Sequence, residues 1–318
     1  MAGMEREKIA RMTKKLISIV SPVYNEEGCL PIFYKRLTDA LAPNKDRYDF
    51  EIIFTNNAST DRSLELIRAW HAEDSSVQVV TLSRNFGYTP SVLAGITHAK
   101  GDAIIVIESD CEDPPEVLPR FIEEWERTGY DVIYGLRNQR SEPAWLTFLR
   151  KSWYRLTLLI ADHDFILDMA EFSLFTRRVR DEIVKVQTQF PFIRSEIAYV
   201  GFRRKGVPYA REPRAYGQSH YNIFTLTVRA LALILTASTF PLRLAAYLGT
   251  ALLGFDLLVL LAHGLGGELA SPTTVTLLNA MFAAYVLMFV SIYVARIYRN
   301  GMSRPTFIVD WQQTILKS

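Results

Sequence analysis

Short apolar runs alternate with amphipathic stretches over the first two thirds of the chain. The apolar runs are rich in β-branched residues and have the length of buried strands; they are 16–21, 50–55, 77–82, 103–107 and 131–135. The stretches between them repeat apolar residues at helical spacing; they are 28–41, 61–71, 88–99 and 115–128. Strands and helices in alternation predict an α/β fold, with a mainly parallel sheet covered by helices on both faces.

Two long apolar stretches near the carboxyl end, Leu244–Ala262 and Val275–Ala295, predict transmembrane helices. Each is long enough to cross a hydrocarbon core of about 30 Å. The linker 263–274 has no Lys or Arg, whereas arginines precede the first stretch and follow the second. The positive-inside rule therefore predicts an integral protein of the cell membrane, with both termini cytoplasmic. The alternative is a buried helical hairpin, which two nearly uncharged stretches in tandem do not favour.

Residues 223–240, within the segment 222–241, are apolar except for Arg229 and scattered Ser and Thr. A third crossing here would place the basic tail outside, so we predict an interfacial amphipathic helix on the cytoplasmic leaflet. Asp256 falls in the middle of the first span, where a charge is costly. It faces the second span near Asn279, faces another protomer, or is protonated.

These patterns divide the 318-residue chain into five parts. They are a charged segment 1–15, a soluble α/β domain 16–221, the interfacial helix 222–241, a two-helix membrane region 242–296 and a basic cytoplasmic tail 297–318. The net charge of +2 gives no general case for nucleic-acid binding. Only two cysteines are present, Cys29 and Cys111, which excludes a disulfide framework and suits a reducing compartment.

An acidic run follows directly on the fourth predicted strand. Ile104–Ile107 is entirely apolar, as in a strand covered on both faces, and Glu108, Asp110, Glu112 and Asp113 come at or just after its end. Open α/β sheets bind ligands at that edge. Clustered carboxylates need a compensating cation, and hard oxygen donors favour Mg²⁺ or Mn²⁺. The alternative is a solvated acidic turn.

Polar motifs also follow the other strands. The first strand runs into Pro22–Glu27, the second into Asn56–Asp61 and the third into Ser83–Gly87. Capping of the next helix explains Ser59 or Thr60, but it does not explain the neighbouring asparagines. A basic patch, with Arg211 and Arg214, precedes the apolar segment.

In this order, the motifs resemble those of the polyisoprenyl-phosphate glycosyltransferases of glycosyltransferase family 2. These include dolichol-phosphate mannose synthases and undecaprenyl-phosphate glucosyltransferases. The matching segments are PVYNEE, STD, RNFG, AGITHAKGD, the acidic run with DPPE, YGLR, GQSHY and RIYRNGMSRPTFIV. The resemblance covers nearly the whole chain.

The resemblance implies a GT-A fold and metal-dependent, inverting transfer of a sugar. The donor would be a UDP- or GDP-sugar, the acceptor undecaprenyl or dolichyl phosphate, and a tetramer is one possible assembly. It implies nucleoside contacts from Pro22, Tyr24, Glu26 and Asn57, and phosphate contact from Arg84. Asp110 and Glu112 would hold Mg²⁺ or Mn²⁺, with Glu108 near the ribose or the metal. Acceptor phosphate would meet Arg211, Arg214 and Ser219, and Glu171 would serve as a base or sugar contact.

The chain departs from the family pattern inside these motifs. The family usually has Asp-x-Asp-x-Gln where this chain has Glu108, Asp110 and Glu112, and the added charge predicts a stronger hold on a cation. Asn56 and Asn57 stand where acids are usual, and an amide both donates and accepts hydrogen bonds. Two alternatives to the transferase remain: a family 2 enzyme acting on a glycolipid hydroxyl, and a non-catalytic membrane scaffold or sensor.

Overall fold

The structure is a computed structural model that describes residues 14–137, 152, 155, 169–186, 192–213, 238–267 and 269–317. The predicted interfacial helix lies outside the described residues up to 237, as do residues 1–13 of the charged N-terminal segment. Residues 14–137, 169–186, 192–213 and 305–317 belong to one compact unit, and residues 238–304 to a second.

Seven strands form one sheet in the first unit. They are β1 (Lys15–Val23), β2 (Tyr48–Asn56), β3 (Val77–Thr81), β4 (Ala103–Val106), β5 (Val132–Arg137), β6 (Met169–Thr176) and β7 (Arg204–Tyr209), in the order β3-β2-β1-β4-β6-β5-β7. Only β6 runs against its neighbours, and the other pairings are parallel. The predicted mainly parallel sheet is confirmed; β6 and β7 were not predicted.

Helices follow the strands along the chain. They are α1 (Leu30–Leu41), α2 (Ser63–Glu73), α3 (Tyr88–His98), α4 (Leu118–Thr128), α5 (Arg177–Lys185) and α6 (Ile193–Tyr199), with short 3₁₀ turns at Ala42–Asn44 and Pro115–Val117. Alternate residues of the strands pack into separate apolar clusters: Ile17 and Ile105 belong to one, and Val20 and Ile104 to the other. Because side chains alternate along a strand, these clusters lie on opposite faces of the sheet. β1 and β4 are therefore covered on both sides, as the apolar run predicts.

Gly95 allows α3 to approach the sheet closely. A Cβ at this position would lie 2.6 Å from Thr55 Oγ1 and closer still to Val20. We expect Gly95→Ala to destabilise the protein by about 1–3 kcal/mol, although alanine favours helices, because the strands cannot move away from α3. Thermal unfolding measures the loss. The matched variant Gly254→Ala, which would meet no atom within 4 Å, should be neutral or slightly stabilising; a Gly95→Ala protein as stable as wild type would contradict the packing.

The end of the tail covers the outer edge of β3. Val79 and Ile315 exchange two backbone hydrogen bonds of 2.9 and 2.8 Å, and Ser83 N donates to Ile308 O at 2.9 Å. The edge strand therefore does not expose its backbone groups along this stretch. The sequence predicts a separate tail over residues 297–318. In the structure, residues 305–317 are part of the first unit.

The second unit contains α7 (Phe240–Gly264) and α8 (Pro272–Gly301). Both are long and apolar enough to cross a membrane, and almost none of their surface is buried. A core helix of a soluble protein would be mostly buried instead. Asn279 Nδ2 donates to both carboxylate oxygens of Asp256, at 3.2 and 3.0 Å. Of the three alternatives for Asp256, the structure shows the one in which it faces the second helix at Asn279.

Candidate active site

The predicted motifs meet at one edge of the sheet. The carboxyl ends of β1, β2, β3, β4, β5 and β7 share this edge because these strands run in the same direction, and β6 begins there. Asn25, Ala58 and Cys111 all have positive φ in the loops that follow β1, β2 and β4. Such backbone is unfavourable for residues other than glycine and concentrates at functional sites.

The loops after β1 and β2 are bound to each other. Thr60 N donates to Asn25 Oδ1 at 2.8 Å, and Asn25 N donates to Ser59 Oγ at 3.1 Å. Glu26 N donates to Ser63 Oγ at 3.0 Å. Tyr24 is half-exposed above this pair of loops, and Pro22 O accepts a hydrogen bond from Ser109. Pro22, Tyr24 and Glu26 thus lie together where a ligand at the sheet edge would meet them.

Asn57 is engaged by the protein itself. Its Nδ2 donates to Asn85 Oδ1 at 3.0 Å and to Gly87 O at 3.1 Å, and its Oδ1 accepts from Phe86 N at 2.9 Å. The side chain is buried, so its clearest role is to fix the loop after β3. Arg84, in the same loop, is exposed and stacks on Phe86 with 3.9 Å between the guanidinium carbon and the ring centre. Asn57, one of the two asparagines that capping did not explain, is therefore engaged in loop contacts.

Arg211 lies among the carboxylates of the acidic run. Its Nη2 is 2.7 Å from Glu112 Oε2 and 3.7 Å from Glu108 Oε2, and its Nε is 3.4 Å from Asp113 Oδ1. Asp110, at the centre of the run, accepts a hydrogen bond from Glu112 N at 3.0 Å. Arg214 and Ser219, predicted beside Arg211 as acceptor ligands, lie outside the described residues.

Asp113 is the most buried member of the run. Tyr209 donates to its Oδ1 at 2.6 Å, and Arg137 Nη2 is 4.0 Å from its Oδ2. Asp113 has no exposed surface, and among the described residues its Oδ2 has no hydrogen-bond partner. Asp113 is therefore a buried carboxyl group whose second oxygen has only Arg137, at 4.0 Å, close to it.

Burial raises the pKa of Glu108 to about 7, and the charges of Asp110 and Asp113 raise it in the same direction. Tyr88 and Arg211 oppose this rise. Burial also raises the pKa of Tyr88 well above its ordinary value, so its hydroxyl stays protonated beside Glu108. The run thus holds more negative charge than its neighbours compensate.

We expect Glu108→Gln to stabilise the metal-free protein at pH 8 but not at pH 5. The folded protein favours the protonated carboxyl, and that advantage is lost as the pH rises from the ordinary pKa of 4.5 to about 7. At about 1.4 kcal/mol for each pH unit, the gain at pH 8 is at most about 3 kcal/mol. Thermal unfolding with a chelator measures it, with exposed Glu65→Gln as control. A gain that does not depend on pH would contradict the raised pKa.

Glu171 is partly buried and paired with an arginine. Its carboxylate lies 2.9 Å from Arg194 Nε, and Arg194 Nη1 donates to Met169 O at 2.9 Å. Burial raises the pKa of Glu171, and the nearby Arg194 and Arg137 lower it. Cys111 is buried, and burial raises the pKa of its thiol to about 11, so it is not an ionised nucleophile at neutral pH.

Comparison with known proteins decides the family. Residues 18–184 match the family described as Glycosyl transferase family 2, which is more than half of the chain. An uncharacterized glycosyltransferase of Bacillus subtilis (strain 168) is 34% identical over 306 residues, covering 92% of this chain and 93% of the relative. The chain belongs to glycosyl transferase family 2.

Two further relatives of this family 2 glycosyltransferase carry more specific names. The bactoprenol glucosyl transferase of Shigella phage SfX is 33% identical, covering 92% of this chain and 98% of that protein. The undecaprenyl-phosphate 4-deoxy-4-formamido-L-arabinose transferase of Edwardsiella ictaluri (strain 93-146) is 30% identical, covering 94% of each. The family, the GT-A fold and the predicted resemblance to polyisoprenyl-phosphate transferases are confirmed.

The fold is also similar to solved structures. The S. aureus TarS 1-349 complex with UDP-GlcNAc has a TM-score of 0.47 at 16% identity, covering 70% of this chain and 66% of that one. The Pyrobaculum calidifontis mannosyltransferase in complex with GDP-Man and Mn²⁺ has a TM-score of 0.43 at 14% identity, covering 93% of this chain and 94% of that one.

The donor atoms of the family 2 site fit a divalent cation in chemistry and charge. Glu108, Asp110 and Glu112 supply hard oxygen donors, and the raised pKa of Glu108 and the unpartnered Asp113 Oδ2 show uncompensated negative charge. In this structure, no group of three or more Asp, Glu, His or Cys side chains in the described part of the chain is placed to hold a metal ion. Arg211 lies among these acids instead.

The structure adds site residues that sequence reasoning missed. They are Tyr88, Arg137, Arg194 and Tyr209. Arg137 belongs to the YGLR segment and ends β5, so it could have been found in the same way as the polar motifs that follow the other strands. The others have no local signal, because their partners lie about 20 to 100 residues away in the chain.

Proposed function

We propose that the protein transfers a sugar from a nucleotide-diphosphate sugar to a polyisoprenyl phosphate at the cytoplasmic membrane surface, with inversion and with Mg²⁺ or Mn²⁺. The observation that carries this proposal is the cluster of Glu108, Asp110, Glu112 and Arg211 at the carboxyl edge of the sheet. The relatives named for bactoprenol and undecaprenyl phosphate support the acceptor class.

Each group in the site has a part in this reaction. A divalent cation held by Asp110 and Glu112 would neutralise the charge that develops on the leaving nucleoside diphosphate. The loops after β1, β2 and β3 position the nucleoside, with Tyr24 exposed to it and Asn57 fixing the third loop. The acceptor phosphate has a second pKa of about 6, so it is a dianion at neutral pH and needs no strong base. Partly buried Glu171, paired with Arg194, is then better placed to bind the sugar than to remove a proton.

The helical pair supports a membrane location. Both α7 and α8 leave their apolar side chains exposed, and a lipid-linked acceptor requires an enzyme at the membrane. The chain leaves the first unit before α7 and rejoins it after α8, where the tail pairs with β3. Two crossings return the chain to the same side, which favours an interfacial position for residues 222–241 rather than a third crossing.

We expect thermal shifts to identify the donor. A ligand that binds only the native protein raises its unfolding temperature. With Mn²⁺ present, one nucleotide sugar, or the nucleotide sugars that share one base, should raise the unfolding temperature by about 5 °C. This shift is expected when the ligand concentration is about a hundred times the dissociation constant. Asp110→Asn, which removes one metal ligand and keeps an oxygen acceptor, is the control and should lose the shift. No shift from any UDP- or GDP-sugar would count against donor binding.

A further inference from the structure

We infer that Arg211 occupies the place of the divalent cation in the free enzyme and must leave it when the cation binds with the donor. This inference deepens the proposed function and rests on it. It assigns Arg211 a regulatory part besides its predicted contact with the acceptor phosphate.

The guanidinium of Arg211 contacts Glu112, one of the two carboxylates expected to hold the cation, and two neighbouring carboxylates of the same run. It lies 2.7 Å from Glu112, 3.7 Å from Glu108 and 3.4 Å from Asp113. One positive charge in contact with three carboxylates does what a metal ion would do for them electrostatically. A cation and the guanidinium would repel each other in the same place, so only one of them is bound there at a time.

Contacts on both sides hold Arg211 in this position. Two residues before it, Tyr209 donates to Asp113 at 2.6 Å. One residue after it, Glu212 N donates to Glu112 O at 2.8 Å. Arg36 then binds Glu212 at 2.9 Å and Glu116 at 2.7 Å, which fixes the chain after Arg211 against the chain after the acidic run. The position of Arg211 is therefore set by anchored backbone and does not depend on a single exposed rotamer.

The arginine leaves part of the cluster unsatisfied. Asp113 Oδ2 is buried and has no hydrogen-bond partner within the described ranges. A guanidinium donates only in its own plane, whereas a cation accepts six or more oxygens around it. The unpartnered oxygen of Asp113 shows that the arginine satisfies this cluster incompletely, and a cation would gain by binding there.

Displacement of Arg211 would couple the two substrates. The guanidinium and the cation compete for the same carboxylates, so each weakens the binding of the other. Once released, Arg211 presents a fork of donors suited to a phosphate monoester. The donor and its cation would therefore bind first, and the acceptor phosphate would then find a free arginine.

Direct binding of Mn²⁺, without any nucleotide sugar, tests this inference. The full-length protein in detergent at pH 8 is titrated with Mn²⁺, and the free ion is measured by its electron paramagnetic resonance signal. We expect Arg211→Gln to bind Mn²⁺ about fivefold more tightly than wild type, or better. The control is Arg68→Gln, because Arg68 is an exposed arginine on α2 that forms no ion pair in the described part of the chain; its affinity should equal that of wild type.

A second variant keeps the test decisive if Arg211→Gln fails to fold. Arg36→Gln leaves Arg211 in place but frees Glu212 and Glu116, and it should tighten Mn²⁺ binding in the same direction by a smaller factor. Unchanged or weaker binding in the folded variants would overturn the inference, even if wild type transfers sugar normally. Tighter binding without any transferase activity would support the displacement and count against the proposed function. No Mn²⁺ binding to any of the proteins would overturn both.

Discussion

Asp110→Asn should lower the rate of sugar transfer about a hundred- to a thousandfold. Asp110 lies in the middle of the acidic run and is partly exposed, so it is available to a ligand. Asparagine keeps the oxygen that accepts from Glu112 N at 3.0 Å, and the substitution removes only the charge. The folded protein should therefore be as stable as wild type. Transfer is measured as formation of the sugar-linked lipid with purified protein.

Asp39→Asn is the matched control for this prediction. Asp39 is an exposed carboxylate on α1, away from the sheet edge, and its substitution should leave the rate unchanged. If Asp110→Asn kept a rate within about tenfold of wild type, Asp110 would not be a metal ligand of the reaction. If Asp110→Asn also left cellular function unchanged, the scaffold alternative would gain support.

Asp113→Ala should lower the stability of the protein by about 3–5 kcal/mol. Asp113 is fully buried, accepts from Tyr209, and lies beside Arg211 and Arg137. Its removal leaves Tyr209 and Arg137 facing an empty space without their carboxylate partner, and Arg211 keeps only Glu112 and Glu108. We expect the unfolding temperature in detergent to fall by about 10 °C.

Exposed Asp39→Ala provides the comparison for Asp113→Ala. A surface carboxylate on a helix should change the stability by about 0.5 kcal/mol or less. If the two variants unfolded at the same temperature, Asp113 would have no part in holding Arg211 and Arg137. The loss of stability would also separate Asp113 from Asp110, because the first supports the site and the second acts in it.

The sequence predicts the parts of the fold that depend on local pattern. The apolar run before Glu108 identifies β4 because a strand covered on both faces needs apolar residues in succession. β7, Arg204–Tyr209, was missed because it contains Gly206 and Pro208, which disfavour strands in isolation. It is the last of the described strands in the sheet order, and proline is tolerated in such an edge strand. The direction of β6 likewise depends on pairing with β4 and β5, which local sequence does not encode.

The chemistry of the site is predicted in kind, but its pairing is not. Charge density alone predicts that the acidic run needs a cation, and the structure supplies Arg211, about 100 residues further along the chain. The prediction assigned Arg211 to the acceptor phosphate from the resemblance, and its contact with Glu112 could not be read from either motif. Asn57 was assigned to the nucleoside, whereas its hydrogen bonds go to a loop 28 to 30 residues away. Long-range contacts decide both residues.

The most direct test of the proposed transfer is product formation by the purified protein. Undecaprenyl phosphate, Mn²⁺ and a panel of UDP- and GDP-sugars are incubated with the protein, and the lipid fraction is analysed by mass spectrometry. We expect one donor to give a lipid that is heavier by one sugar residue on its phosphate. This product should be absent when Mn²⁺ is chelated, and also when undecaprenol is used in place of undecaprenyl phosphate. No sugar-linked lipid with any donor, beside an active relative under the same conditions, would contradict it.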